Sequence, residues 1–481
     1  MKRKRKRSGP GQDVIKDSFY WLKRVKGQRA KKGYKGAHIP TLLMECAMPL
    51  AFDSYNMCAM SCCYCFSHIS KMSNPTWRGK DIGLQGIDVD KQMKAIKGES
   101  NSRYDDAMYE HFYSKKFPLH WGTLTDPFCG FEKQNKFGLR FIEALGEMNY
   151  PCVFCFKGRT IMDKEYRKVF ERYAKQGNFA FQGTVTIPDD KLARQVEIGA
   201  PTTSQRIETL AMLGDMGYWT IARLRPYIIG ISDIGIDNML ERLAEAKIRG
   251  LTVGYLCVDI RASGNAKLRW DHIGRLIGVK NLLAHYKALS YPQRGAYLRA
   301  NRLLKEEHSK RLYLFCKKNG ILFTNYDQDF KELSMSGNCC ALPHTGLNPG
   351  LLNWNKNQTS NFLVEARRRY AKTGKRMKFY FSQIFSEDST YLDDPRLGNE
   401  HVGVIGRTTG ERAVITLRHI LREQWNNLNS GGNPRNFYAG KMLPVGKDTE
   451  GNLIYKYNPS EWEGRWAEEG IDLTTDQTER R

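Results

Sequence analysis

The residues best suited to chemistry lie in the segment 53–67, DSYNMCAMSCCYCFS. Cys58, Cys62 and Cys65 have C-x3-C-x2-C spacing, with Tyr64 directly before the last of them. Three thiolates on one short loop can hold three irons of a [4Fe–4S] cubane and leave the fourth iron open. A structural zinc site wants four protein ligands, commonly as two separated pairs. Cys152 and Cys155 have pair spacing, but they fall in an apolar run that reads as a strand, where side chains alternate. Three merely structural cysteines would suit this polar, glycine-free loop poorly. Cys63, between two ligands, is expected to point away from the metal.

Two further thiols, Cys339 and Cys340, are adjacent in the chain. They could ligate an auxiliary cluster or supply a hydrogen atom. Neighbouring cysteines seldom both bind one metal, and no cysteine cluster follows, so a reduced structural pair is the expectation. A secreted disulfide framework is typically small. This chain has 481 residues, and its start, MKRKRKRSGPGQD, lacks the apolar stretch of a secretory signal. No run of about 18 apolar residues predicts a membrane span. A soluble, cytoplasmic protein without a membrane partner is expected.

Residues that do chemistry must be held by regular elements. Apolar or β-branched runs occur at 118–125, 151–157, 179–186, 219–230 and 251–258, with helical patterns at 133–149, 163–176, 203–217 and 235–249. In the helix at 203–217, Thr203 or Ser204 would cap the start and Gly217 the end. A strand at 41–47 would precede the cysteine loop. Repeated strand–helix units mean a parallel α/β sheet, and six of them predict a partial (βα)6 TIM-type barrel. The expected divisions are a basic arm at 1–40, the barrel core at 41–265, a mainly helical extension at 266–330 and a C-terminal accessory or recognition region at 331–481. A strand at 322–326 and a helix at 412–425 are further candidates.

Formal net charge is +25, and residues 1–36 hold fourteen Lys or Arg against Asp13 and Asp17. Basic clusters recur at 294–318 and 367–378. This distribution suits a polyanion, because each neutralised phosphate releases counterions. The segment 367–381, RRRYAKTGKRMKFYF, interleaves bases and aromatics. It reads equally as a stacking surface or as an amphipathic helix followed by a strand.

The cysteine loop and three weaker segments together resemble the radical S-adenosylmethionine (SAM) superfamily, and within it the spore photoproduct lyase-like group. Leu124-Thr125-Asp126-Pro127 is similar to that group's T-x-D-P element, and Phe156-Lys157 to its Thr-Lys pair. Pro201–Leu210, with Arg206, and the run from Arg225 and Pro226 to Gly230 are similar to its P-x(n)-R-L helix and P-I-x-G strand. The resemblance spans about residues 40–260, just under half the chain. It implies that SAM chelates the open iron through its amino and carboxylate groups. Lys157 would then meet the carboxylate, and Tyr64, Thr125, Asp126, Thr184 and Arg225 would complete the cofactor site, with Thr186 near the ribose. A reduced cluster would cleave SAM to methionine and a 5′-deoxyadenosyl radical, fed by a donor such as flavodoxin or ferredoxin. The lyases' hydrogen-donor cysteine sits just upstream of T-x-D, where this chain has Thr123; Cys129 lies on the other side of Asp126. Direct repair of spore photoproduct is therefore not the expectation. The expected function is modification, rearrangement or repair of a base in DNA, thymine-type favoured, with Cys129 and Cys339 as catalytic candidates. The alternatives are the same chemistry on RNA or on a protein or peptide, and a non-enzymatic metal-bound nucleic-acid-binding protein.

Overall fold

Short apolar runs and amphipathic helices alternate to build one parallel sheet of seven strands. The computed structural model describes residues 25, 27–40, 45–67, 83–289, 297–345, 347, 358–398 and 415–474. Most of the basic arm, the start of the strand expected at 41–47, Arg294 and Arg412 lie outside the described residues. The strands are β1 (Leu50–Phe52), β2 (Leu119–Trp121), β3 (Cys152–Phe156), β4 (Phe179–Thr184), β5 (Trp219–Tyr227), β6 (Gly250–Tyr255) and β7 (Leu322–Asn325). Their order is β7-β6-β5-β4-β3-β2-β1, every neighbour parallel. Strictly sequential order adds each strand at the same edge. Crossovers of one hand then put the helices on one face and curl the other inward, as in a partial barrel.

Two expectations about this sheet need correction. The first strand begins at Leu50, after Pro49, while described residues from Glu45 to Pro49 form a turn and a bend. Proline lacks the N–H that a ladder needs, so pairing starts beyond it. The strand near 322, assigned by sequence to an extension, joins the sheet beside β6 as a seventh strand.

The period-2 alternation sorts the side chains. Phe52, Trp121, Phe154 and Phe181 face outward, all fully buried, with Trp121 5.3 Å and Phe181 5.1 Å from Phe154 between ring centroids. Each large buried apolar side chain contributes about 1.5–3 kcal/mol. They pack under helices that include α1 (Val89–Lys97), α2 (Phe137–Glu147), α3 (Lys164–Tyr173), α4 (Thr203–Asp215), α5 (Ile236–Glu245) and α6 (Arg302–Asn319). Cap chemistry sets their ends. Thr202, one residue before the expected caps, starts α4 with a reciprocal Gln205 capping box, and Gly217 beyond its end has φ +91°. The helix expected at 133–149 is split at Lys136, whose left-handed φ of +53° ends one short helix before α2 begins.

Of the described residues after 331, those from 359 onward fold against the barrel's outer side, while Cys340, Leu342 and Leu347 pack beside Val153 and Ala180 of the sheet's inner face. Lys378–Phe379, Met442–Lys447 and Leu453–Tyr457 form an antiparallel sheet. Glu461–Glu468 brings Trp462 and Trp466 into the same apolar core as the barrel helices, with Trp466 6.2 Å from Tyr313 of α6. Arg465 reinforces this contact by bonding Glu306. Within 367–381, the helix Thr359–Thr373 and a short strand prevail over a stacking surface. Phe379 and Phe381 are buried, and Arg367 bonds the carbonyls of Glu332 and Leu473. Arg369, Lys372, Lys375, Arg376 and Lys378 remain exposed. No described helix is long and apolar enough to cross a membrane.

Truncating Trp466 to alanine should empty the seam between tail and barrel and lower stability by about 3–5 kcal/mol in denaturant unfolding. A loss below about 1 kcal/mol would show that the tail is not part of the cooperative core.

Candidate metal centre and adjoining cavity

Buried carboxylates fix the strand ends from which the site grows. Asp53, directly after β1, accepts from Leu124 N at 2.9 Å, Thr125 N at 2.7 Å and Thr123 Oγ1 at 2.7 Å. Thr125 Oγ1 lies 3.2 Å from both Asp53 Oδ1 and the Tyr55 carbonyl. Asp126 accepts from Phe128 N at 2.9 Å, from Gly158 N at 3.0 Å and from Lys157 N, tying the loop after β2 to the end of β3. Gly158 is required for this approach, since a Cβ there would lie 2.1 Å from the Phe128 carbonyl oxygen. Thr125 and Asp126, expected to meet a cofactor, thus use these bonds to join strand ends.

The cysteine loop is clamped by the segment that follows the helix Asp190–Val196. Cys63 N donates to Val196 O at 2.8 Å, Gly199 N donates to Met60 O at 2.9 Å, and Cys62 bridges Glu197. A side chain at position 199 would collide with the Ala59 carbonyl oxygen, at 2.3 Å. Under the loop lies Glu197, only 1% exposed. Its carboxylate receives the Tyr64 hydroxyl, the Arg206 guanidinium and Thr186 Oγ1 at 3.1 Å, with Lys157 Nζ at 4.0 Å. Burial pushes its pKa up, but Arg206 and Lys157 more than offset that and hold it below the ordinary value. Lys157 also lies 5.5 Å from the centre of the Tyr64 ring. Burial pushes the Cys62 thiol up to about 12, against the pull of Lys157. A metal would have to displace that proton, which couples binding to proton release.

Cys58 is buried against Cys129, whose bond to it is the largest factor raising the Cys58 pKa, ahead of burial and Asp126. Cys129 therefore sits beside the loop, and it does not line the cavity described below. Cys63 points its sulfur at the Gln195 carbonyl, 4.0 Å away. Among the described residues, the group with three ligand atoms mutually within 4.8 Å is Glu110, His111 and Asp394. There the Arg396 guanidinium already bonds Asp394 and Glu110, so a cation holds that site. Cys58, Cys62 and Cys65 do not form such a group: Cys58 sits against Cys129, while Cys62 lies close enough to Cys65 for their charges to interact.

Beside the loop opens a cavity of about 660 Å³, bordered by Phe66, Thr123 and Leu124 and running along the sheet's inner face to His120, Arg223 and Arg225. Tyr326, Cys339 and Cys340 line its far wall. Arg225 lies 3.6 Å over the Tyr326 ring and 3.9 Å from Cys339 Sγ. It is thus a residue of the far wall, not of the Cys62–Lys157 cluster. Thr184, on the inner face beside Arg223, gives its carbonyl to Arg206 Nη1 at 2.9 Å. His120 is 2.9 Å from Cys155 Sγ, and burial with Arg223 and Arg225 lowers its pKa to about 3, leaving a neutral ring. Lys331, 3.2 Å from Glu45, approaches Tyr326 at 4.6 Å.

Sequence reasoning missed Asp53, Glu197, Glu45 and Lys331. An isolated acidic residue carries no spacing signal; Glu197 is marked only by standing between a helix end and Pro201.

No family model matches the chain. Uncharacterized proteins of Mycobacterium tuberculosis and Mycobacterium bovis are 25% identical over 211 residues, 43% of this chain. The match spans 59% of the length of these curated relatives. Among solved structures, the fold is similar to spore photoproduct lyase with bound AdoMet and dinucleoside spore photoproduct. That likeness has a TM-score of 0.45 and 13% identity, over 66% of this chain and 87% of that one. Streptococcus suis SuiB bound to the precursor peptide SuiA is similar at a TM-score of 0.30 and 10% identity, over 50% and 43%.

Glu197→Gln should leave Arg206 buried without its counter-charge and lower stability by about 3–5 kcal/mol near neutral pH. The folded-state pKa of Glu197 is depressed, so its contribution is complete above the unfolded carboxylate value and lost as pH falls through the folded one. The gap between wild type and variant in unfolding experiments should therefore narrow in acid; a gap that is constant with pH would remove the charge argument.

Proposed function

We propose that the chain is a radical SAM enzyme that holds a [4Fe–4S] cluster on Cys58, Cys62 and Cys65 and acts on a base in nucleic acid, with DNA favoured and a thymine-type base first among candidates. The observation that carries this reading is the meeting of Cys62, Tyr64 and Lys157 over the buried Glu197 at the carboxyl ends of parallel strands. Ligands of such sheets bind at that end. The donors suit the group in kind, three soft thiols from one loop, and Lys157 and Arg206 partly offset the burial that raises the Cys62 pKa. When bound, the cluster supplies one-electron cleavage of SAM's carbon–sulfur bond and so a radical able to take hydrogen from an unreactive carbon.

The chain's own residues do the rest. Lys157, 16% exposed, offers an ammonium to an incoming carboxylate. Tyr64 directs its hydroxyl to Glu197 and stiffens the loop at the last ligand. Asp53 and Asp126 hold the adjoining turns rigid, so the cavity wall next to Phe66 is preorganised. The exposed bases at 369–378 provide phosphate contacts on the outside, while Phe379 and Phe381 are turned into the core. In this reading residues 41–265 form the catalytic core, joined by β7 from the following segment. Residues 331–481 support the barrel and close part of the cavity, and a flavodoxin or ferredoxin supplies electrons.

After anaerobic reconstitution with iron and sulfide, the reduced chain should convert SAM to 5′-deoxyadenosine, and Cys58→Ala, Cys62→Ala or Cys65→Ala should reduce this to background. Lys157→Ala should raise the SAM concentration needed by about ten- to hundredfold, the worth of a charge-assisted bond. Retained cleavage in the cysteine variants, or zinc with four protein ligands in the purified chain, would end this reading.

Duplex DNA binding followed by fluorescence anisotropy should weaken with salt, and the joint change of Lys372, Lys375, Arg376 and Lys378 to alanine should flatten the log–log slope by roughly one for each phosphate no longer neutralised. Affinity indifferent to salt would point away from nucleic acid.

A further inference from the structure

The far wall of the cavity carries chemistry that the cluster does not use. Cys339 and Cys340 line it with their sulfurs 3.9 Å apart. The two are unlike. Cys339 is partly accessible, lies 3.9 Å from the Arg225 guanidinium and feels the charges of Lys331 and Arg223, whereas Cys340 is only 5% exposed. The bond from Cys340, together with those three cations, holds the Cys339 thiol well below its ordinary value, and the same bond pushes Cys340 well above. The accessible sulfur is thus the one with a guanidinium beside it, which favours its thiolate form. Arg223 has a buried Nε without a hydrogen-bond partner in the same wall. A thiolate beside a protonated neighbour and within reach of a cavity is the arrangement that thiol–disulfide exchange requires.

We propose that Cys339 and Cys340 form a dithiol exchange site, with Cys339 as attacking and Cys340 as resolving sulfur, for a small disulfide that carries carboxylates. The Cys339 sulfur attacks one sulfur of the incoming disulfide; a mixed disulfide forms and the first substrate thiolate leaves. Cys340 then attacks the Cys339 sulfur, its proton goes to the second departing sulfur, and the Cys339–Cys340 disulfide remains. The incoming disulfide is reduced by two electrons and the pair is oxidised by two; an external dithiol restores it. Arg225 and Arg223, both in the cavity lining, select for an anionic reagent. Oxidation also removes the thiolate that neutralises them, so the cavity gains positive charge when the pair closes.

The probe is dithiobis(nitrobenzoate), an anionic aryl disulfide, mixed at neutral pH with the anaerobically purified full chain; released thiolate is read by absorbance and modified residues by peptide mass spectrometry. A fast phase at least about tenfold quicker than an ordinary exposed cysteine is expected, since such a thiol is mostly protonated. It should release two thiolates and end in a Cys339–Cys340 disulfide. Cys340→Ser should release one and keep the adduct on Cys339, and Cys339→Ser should lose the fast phase, each with an unchanged circular dichroism spectrum. A fast phase that survives Cys339→Ser, or a stable adduct on wild-type Cys339, would overturn the assignment. The readout needs neither SAM nor iron, so its failure is separate from failure of the cluster reading.

Discussion

A carboxylate buried to 1% exposure costs several kcal/mol unless its charge is met, and Glu197 is placed where meeting that charge organises everything around it. Arg206 reaches it from α4, Tyr64 from the cysteine loop, Thr186 from beyond β4 and Lys157 from the end of β3. Four segments distant in sequence are therefore bound to one pair of oxygens. Loss of any one leaves a buried polar group unsatisfied, so the loop is held in a single arrangement, not merely near the sheet. Glu197 and Cys62 in turn outweigh the effect of burial on the Lys157 ammonium and keep it charged.

Asp53 and Asp126 repeat this logic at the neighbouring strand ends. Each collects backbone N–H groups from a loop that would otherwise leave them unpaired next to an apolar core. The consequence for function is rigidity: turns that border the cavity are pinned by charge-assisted bonds instead of by packing alone. Thr125 and Asp126 are both members of that frame.

Inside the sheet the physical problem is reversed. Its outer face is aromatic and dry, while the inner face offers His120, Cys155, Gln182, Thr184 and Arg223. Such a wall is stable only with compensating partners, and the tail supplies Cys339 and Cys340 beside Arg223 and Arg225. The described part of the tail thus has two faces: tryptophans that seal the barrel helices, and thiols that line the cavity.

Periodicity and spacing alone determined the parallel sheet, the positions of six of its strands, most crossover helices and the loop that carries Cys58, Cys62 and Cys65. These are local signals: alternation, caps and ligand spacing are written within a few residues of each other. The start of β1 was misread because an apolar run before Pro49 looks like a strand until hydrogen bonding is counted. The helix-and-strand reading of 367–381 could not be separated from base stacking, because composition does not say which face is buried. Only the tertiary structure decided that Glu197 lies under the loop, that Cys129 pairs with Cys58, that Arg225 belongs to the far wall, and that Cys339 and Cys340 share a cavity with β2 and β5. Those contacts join residues tens to hundreds of positions apart, and they depend on burial and charge compensation, which exist only once the chain has closed on itself.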